Sequence, residues 1–185
     1  MDFFAPLRRA LARFTRDERG VITTEMIIVT PLLVWLFLAL FVYWDGYRAK
    51  NTAVKATVAV ADMISRESAP INSSYITGMH RVYRYATAAQ RPSWLRVTLI
   101  QYSEAGSAFR VIWSRTTDSS RAQAHTNASI AEMRRNLPNI TDADTLMVVE
   151  TWQEWSPAFW VGLSEQVFYE LATEKMRAQA LLPIT

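Results

Sequence analysis

The side chains of this chain that could act as acids, bases or metal ligands form no catalytic or metal-binding motif in the sequence. The sequence has two histidines, His80 and His125, and no cysteine. The histidines fall in separate segments that we interpret as helical, and no HExxH spacing joins either one to a second ligand. We therefore interpret both as surface or partly buried residues, and we expect no metal ion and no other cofactor.

The carboxylates of the C-terminal third form an acidic stretch made of Asp142, Asp144, Glu150 and Glu154. The tripeptide Asp142-Ala143-Asp144 offers two oxygen ligands of a calcium loop, but the glycine and the later bidentate glutamate are missing at loop spacing. We interpret this tripeptide as a turn. Because the chain also lacks a Gly-x-Ser-x-Gly elbow and a glycine-rich phosphate loop, we expect neither enzymatic activity nor a small-molecule substrate.

Four aromatic residues form a cluster near the acidic stretch, namely Trp152, Trp155, Phe159 and Trp160. Large aromatic side chains at this density favour core packing against a helix. The alternative is a contact surface for a neighbouring subunit or for the outer leaflet of the membrane, since tryptophan is enriched at both. The solvent exposure of the four side chains separates the two interpretations.

The one charged side chain in residues 21–44 is Glu25. As a helix this segment would be about 36 Å long, which exceeds a hydrocarbon core of roughly 30 Å. It is also longer than the apolar core of a cleaved signal peptide, which is roughly 7 to 15 residues. We therefore predict a transmembrane helix over residues 21–44 that is retained as an anchor.

The charges flanking this span predict its orientation. Residues 1–20 carry five arginines against three acids, whereas Arg48 and Lys50 closely follow the span and are partly offset by Asp45. The positive-inside rule then places the basic leader in the cytoplasm and the C-terminal domain on the far side of the membrane. The leader is either a short amphipathic helix or a plain basic flank. Residues 21–185 are nearly balanced in charge, so we expect no nucleic-acid partner.

Glu25 needs a physical reason, because a carboxylate inside a bilayer is costly. It follows Val21 at the i+4 position and therefore shares a helical face with it. If the chain were cut after Gly20, Val21 would carry a free amino group. The amine of one helix could then pair with Glu25 of the next, which would neutralise both charges and set the stagger of the helices.

The run Arg19-Gly20-Val21-Ile22-Thr23-Thr24-Glu25 resembles a type IV prepilin processing site. Pro31, six residues after the glutamate, and Asp45-Gly46-Tyr47 behind the span extend the likeness to the TadE/TadF/TadG-like N-terminal segment of Tad (tight adherence) pilus proteins. The resemblance covers about residues 16–67. Pro31 is expected to bend the helix locally.

The resemblance implies a TadE/TadF-like minor pilin, or pseudopilin, that takes part in Tad-type pilus assembly and surface adherence. It also implies a single-pass protein of the bacterial inner membrane, with its C-terminal domain in the periplasm. A prepilin peptidase would cut between Gly20 and Val21, and Glu25 would align the subunit with other pilin and pilus-assembly subunits. The alternative is an uncut signal-anchor protein with a periplasmic binding or structural domain.

The remaining sequence predicts an α+β domain on a helical stalk. The predicted domains are a leader over residues 1–20, the span over residues 21–44, an amphipathic stalk over residues 45–67 and a periplasmic domain over residues 68–185. The domain is expected to hold an antiparallel sheet of about four strands and two shorter helices. Its predicted helices are one capped by Ser73 or Ser74 and ending near Gln90, and one capped by Asp118, Ser119 or Ser120 and ending near Asn136. The predicted strands are a hairpin around residues 95–99 and 109–113 and two further strands over residues 146–152 and 167–176, with a short turn or helix over residues 160–163.

Overall fold

A computed structural model describes residues 19–177, so most of the basic leader predicted over residues 1–20 lies outside the described residues. The fold is α+β, as predicted. Its elements are α1 (Arg19–Ser65), α2 (Ser73–Thr87), β1 (Ser93–Ser103), β2 (Ala108–Thr116), α3 (Asn127–Glu132), a 3₁₀ turn (Arg134–Asn136), β3 (Thr145–Trp155) and β4 (Gln166–Lys175).

The chain forms two compact units. The first, which we call the anchor unit, contains α1 as far as Trp44 together with Ala158–Gly162. The second, which we call the sheet unit, contains Asp45–Pro157 and residues 163–177.

Helix α1 is long and apolar enough to cross a membrane. Its most apolar 18-residue stretch has a mean hydropathy of 2.5, and only 11% of that stretch is buried. The core helix of a water-soluble protein would be mostly buried, so the exposure favours a lipid environment. The predicted span and stalk form one unbroken helix that ends at Ser65, two residues before the predicted end of the stalk at residue 67.

The four strands form one antiparallel sheet, as the sequence predicted. The structure gives their order as β2-β1-β3-β4. The register of β1 against β2 shifts by one residue, because Leu99 pairs with Trp113 while Ile100 pairs with Val111. The extra residue is Ile112, which forms a β-bulge. The bulge turns Trp113 to the opposite face of the sheet from Phe109 and Val111, which simple alternation would have kept together.

Each face of the sheet carries its own apolar core. On one face, Val60 and Ile64 of the stalk and Tyr83 of α2 pack with Val97 and Val149. On the other face, the core residues are Ile100, Phe109, Ile130, Leu137, Leu146 and Val148. The central strands are therefore covered on both sides, which explains why no residue of β3 and only Ser103 of β1 is exposed.

Helix α2 is capped one residue before the cap predicted at Ser73 or Ser74, and it ends at Thr87, before the predicted end near Gln90. Its N-cap is Asn72, whose side chain accepts a hydrogen bond from the backbone N–H of Tyr75 at 2.8 Å. The helix stops at Thr87 because Ala88 is left-handed, with φ of 49°. Left-handed geometry ends a helix by redirecting the chain.

The predicted helix from Asp118 to about Asn136 is wrong over its first half. Asp118 does accept backbone hydrogen bonds from Ser120 and Arg121, but they close a single turn. Helix α3 begins only after Thr126, which forms a capping box with Ser129. In the segment predicted as a short turn or helix over residues 160–163, the chain forms bends and no helix.

Candidate functional site

The predicted processing site lies in the first turn of α1. The hydroxyl of Thr24 donates to the carbonyl oxygen of Gly20 at 2.8 Å, which ties the bond between Gly20 and Val21 into the helix. A first helical turn has N–H groups without intrahelical partners and is easily unwound. A Cβ atom at Gly20 would meet no atom within 4 Å. The side chain of Val21 lies outside the described part of the chain.

Glu25 is exposed on α1 and is surrounded along the helix by exposed apolar side chains such as Met26 and Ile28. Among the described residues none forms an ion pair with its carboxylate. A carboxylate in this position can be neutralised by a cation from outside the described chain. The geometry is compatible with pairing between subunits, which stays a prediction.

Pro31 lies inside α1, as predicted. Its ring nitrogen carries no hydrogen, so the carbonyl of Ile27 loses its usual helical donor. Neighbouring helices can cover such a carbonyl in a membrane. The local bend that the sequence predicted here stays a prediction.

Solvent exposure divides the four clustered aromatic residues. Trp155 is buried, its indole N–H donates to Asp45 at 3.0 Å, and its ring stacks with Phe168 at 5.9 Å between centroids. Trp152 is half-buried. These two fit the core interpretation, whereas Phe159 and Trp160 are exposed and are available for contact with a partner or with lipid.

The sheet unit contains a buried polar network that the sequence did not predict. Glu150 of β3 is 1% exposed and accepts two hydrogen bonds from Arg96 of β1, from Nε at 2.6 Å and from Nη2 at 2.7 Å. The hydroxyl of Tyr169 donates to Oε1 at 2.8 Å, and Nε2 of His125 lies 2.9 Å from Oε2. Each carboxylate oxygen therefore has two partners.

The electrostatics of this network keep Glu150 charged. Burial acts to raise the pKa of Glu150, but the hydrogen bonds from its partners and the charge of Arg96 outweigh burial and hold that pKa at about 2. Burial and the neighbouring charge of Glu150 raise the pKa of Tyr169 well above its usual range. A carboxylate that is fully ionised and fully bonded is poorly suited to proton transfer. The arrangement is suited to holding strands together.

The two histidines lie apart in the fold. His125 is buried in the loop before α3, where it bonds to Glu150, so its interpretation as a helical and at most partly buried residue is wrong. His80 lies in α2, where Nε2 is 3.0 Å from the hydroxyl of Ser93 and burial lowers the pKa of the ring. The interpretation of Asp142-Ala143-Asp144 as a turn agrees with the structure. Within residues 19–177 no three histidine, aspartate or glutamate side chains come together as a metal site.

One open cavity of about 510 Å³ lies in the sheet unit. Arg48 of α1, the end of α2 and the end of β3 contribute to its lining. Arg91 donates to the hydroxyl of Ser156 at its edge, and Trp155 forms part of its wall. The cavity can accept a small polar group, but it brings together no base and nucleophile that the hydrogen bonds identify.

Comparisons of the chain with family models, with curated proteins and with solved structures found no match. The function is therefore argued from the residues and their geometry.

Proposed function

We propose that this chain is a membrane-anchored minor pilin or pseudopilin that takes part in assembling a Tad-type pilus. The observation that carries the proposal is the position of Glu25. It follows Gly20 by five residues at the beginning of an exposed apolar helix, which then continues without a break into a small antiparallel sheet unit. This order of elements is the one that the resemblance in residues 16–67 implies.

The orientation follows from charge. The arginines before the span outnumber the basic residues that closely follow it, so the sheet unit would lie in the periplasm and the leader in the cytoplasm. A prepilin peptidase acting at the cytoplasmic face could then reach Gly20. The first turn of α1 would have to unwind for cleavage, and helix ends do so at little cost.

The proposed role of Glu25 depends on its exposure. Because it has no ion-pair partner among the described residues, its charge is available to the α-amino group of a processed neighbour. An ion pair in hydrocarbon is less costly than two isolated charges. Pairing would therefore both favour association and fix the axial position of one helix against the next.

Mass spectrometry of the mature chain tests the processing step. The protein is expressed in a host with a prepilin peptidase and in the same host without it. We expect the chain to begin at Val21 in the first host only. A Gly20→Leu variant should remain uncut, and the free space at Gly20 means that lost cleavage reports recognition and not a clash in the fold. An intact Met1 terminus in both hosts would rule out the pilin proposal.

A Glu25→Ala variant tests subunit alignment. We expect it to insert into the membrane normally, as judged by carbonate extraction, and to impair piliation. Thr30→Ala is the matched control, since Thr30 is also an exposed polar residue in the span. Normal piliation of the Glu25→Ala variant would remove the role assigned to this carboxylate.

The second candidate function is an uncut signal anchor that carries a periplasmic binding domain. The open cavity beside Arg48 favours it, because a cavity of about 510 Å³ is within the range of small-ligand sites. The two functions differ at the N-terminus, since the anchor would keep the Gly20–Val21 bond in a host with the peptidase.

A further inference from the structure

We infer that the segment Ala158–Gly162, which lies between β3 and β4, contacts the bilayer interface beside α1 through Phe159 and Trp160. The chain would then meet lipid at two places, the span and this segment. The inference rests on the membrane anchoring that is part of the proposed function. It adds a lipid-contacting surface that the anchor alone does not require.

A ring contact fixes the height of the segment along α1. The rings of Phe41 and Phe159 meet edge to face, with centroids 6.3 Å apart. Phe41 precedes Trp44, the last residue of the predicted span, by three residues, which is about 4.5 Å along a helix axis. If α1 crosses the bilayer, Phe159 must lie near the outer boundary of the hydrocarbon core.

Burial within the anchor unit supports the same position. Most of the span is exposed, but Ala39 and Val42 are buried, and so is Val161 of the segment. All three belong to the anchor unit, as does Trp44. The segment is therefore part of the same compact unit as the last turns of the span.

The exposed side chains of the segment suit an interface between lipid and water. Trp160 is 87% exposed, although its large apolar ring is unfavourable in water. Indole rings are enriched at the level of lipid headgroups, where the ring meets the acyl chains and the N–H meets water. Tyr43 and Trp44 are exposed on α1 just beyond Phe41 and would belong to the same aromatic belt.

The absence of charged side chains in the segment also favours contact with lipid. Residues 156–164 carry no ionisable side chain, and the first charge after them is Glu165. Desolvation by lipid therefore has no ionic cost in this segment. The polar groups that remain are backbone groups, the indole N–H of Trp160 and the hydroxyls of Ser156 and Ser164, and all of these can be solvated at headgroup level.

Site-directed spin labelling of the full chain tests the inference. The chain has no cysteine, so a single cysteine can be labelled cleanly. Trp160→Cys is compared with Phe37→Cys in the span and with Tyr85→Cys in α2, where the tyrosine is 90% exposed. Each labelled protein is reconstituted in vesicles of phosphatidylethanolamine and phosphatidylglycerol. Collision rates with oxygen report lipid exposure, and those with a water-soluble nickel chelate report aqueous exposure.

We expect the labels at 160 and 37 to collide several-fold more with oxygen relative to the nickel chelate than the label at 85. A label at 160 that behaves like the label at 85, while the label at 37 is in lipid, would overturn the inference and leave the anchor intact. An aqueous label at 37 would instead remove the anchoring on which the proposed function rests. Spin–spin broadening at 160 that grows with protein density would assign the segment to a second copy and overturn the inference.

A second measurement keeps the native residue in place. Brominated acyl chains quench tryptophan fluorescence on contact, so Trp160→Phe should reduce the quenched fraction relative to the unchanged chain. The substitution is at an exposed position and leaves the fold intact. Equal quenching in the two proteins would contradict a position of Trp160 in lipid.

Discussion

Replacing Glu150 by glutamine removes the charge at the centre of the buried network while keeping the shape of the side chain. The carboxylate oxygens accept four hydrogen bonds from Arg96, Tyr169 and His125. A glutamine can place an acceptor on one side only, so its NH₂ group must face donors on the other. The guanidinium of Arg96 is left without a counter-ion in a mostly buried position.

The expected loss of stability can be worked out in two ways. Removing one partner of a buried ion pair costs about 3 to 5 kcal/mol. From the titration side, the pKa of Glu150 is about 2 in the folded chain against an ordinary value of 4.5. That difference corresponds to roughly 3 kcal/mol of stabilisation at neutral pH. We therefore expect the variant to lose about 3 kcal/mol, or about 10 °C in Tm for a domain of this size.

Glu154→Gln is the matched control. Glu154 lies on the same face of β3, four residues further along, and also accepts a hydrogen bond from an arginine at 2.6 Å, in this case Arg121. Its side chain is 35% exposed against 1% for Glu150. Exposed pairs contribute at most about 1 kcal/mol, so this variant should unfold close to the unchanged protein.

The pH dependence provides an independent check. Because the folded pKa of Glu150 is depressed, its contribution is complete above pH 4.5 and is lost as the pH falls towards 2. The variant lacks the titrating group, so the difference in Tm between the two proteins should shrink over this window. The Tm of each protein is measured by near-ultraviolet circular dichroism of the full chain in nonionic detergent. Equal Tm losses for Glu150→Gln and Glu154→Gln, or a difference that stays constant from pH 7 to 2, would refute the reasoning.

The remaining predictions concern two helical glycines and are measured in the same unfolding assay. Gly46→Ala should lower stability by up to about 2 kcal/mol, since a Cβ atom there would lie 3.1 Å from the ring of buried Trp155 and overpacking of about 1 to 3 kcal/mol exceeds the gain of about 1 kcal/mol in helix propensity. Gly78→Ala should raise stability by about 1 kcal/mol, because the site in α2 is open and alanine favours the helix. A stabilising Gly46→Ala would show that the Trp155 ring is not held in place.

The parts of the fold that the sequence predicted well depend on local patterns. The span is specified by a long run of apolar residues, and the strands by short apolar or alternating runs, so neighbouring residues carry the information. The face on which Trp113 lies was not predictable in this way. The bulge at Ile112 becomes visible only when β2 is paired with β1, and pairing is a property of two distant segments.

The failed helix between Asp118 and Asn136 has a physical cause in tertiary hydrogen bonds. The carbonyl of Gln123 accepts from Nη1 of Arg96 at 2.6 Å, and the backbone N–H of His125 donates to the hydroxyl of Ser114 at 2.8 Å. A helix would need both groups for its own i to i+4 bonds. The side chains of Arg96 and Ser114 therefore bond the backbone groups that a helix would use, and the local sequence alone could not indicate this.

The role of Glu150 could not be predicted from the sequence, where this residue is only part of an acidic stretch, because its partners are far from it along the chain. Its partners lie 54, 25 and 19 residues away, at Arg96, His125 and Tyr169. They meet because β1, β3 and β4 are neighbours and because Arg96 is directly opposite Glu150 in the register. The signal available in the sequence was one acidic residue inside an otherwise apolar run, and it identified neither partner nor role.

Variants of Glu25 and Glu150 therefore distinguish an effect on pilus assembly from an effect on the stability of the fold. Glu25 has no ion pair within the described chain, so Glu25→Ala should change the free energy of unfolding of the sheet unit by less than about 0.5 kcal/mol. Glu150→Gln should lower that free energy by about 3 kcal/mol through the loss of its bonds. If Glu25 acts between subunits, its variant must lose piliation while unfolding like the unchanged protein. A Glu25→Ala variant that melted as early as Glu150→Gln would place its role inside one chain, and the pairing between helices would have to be abandoned.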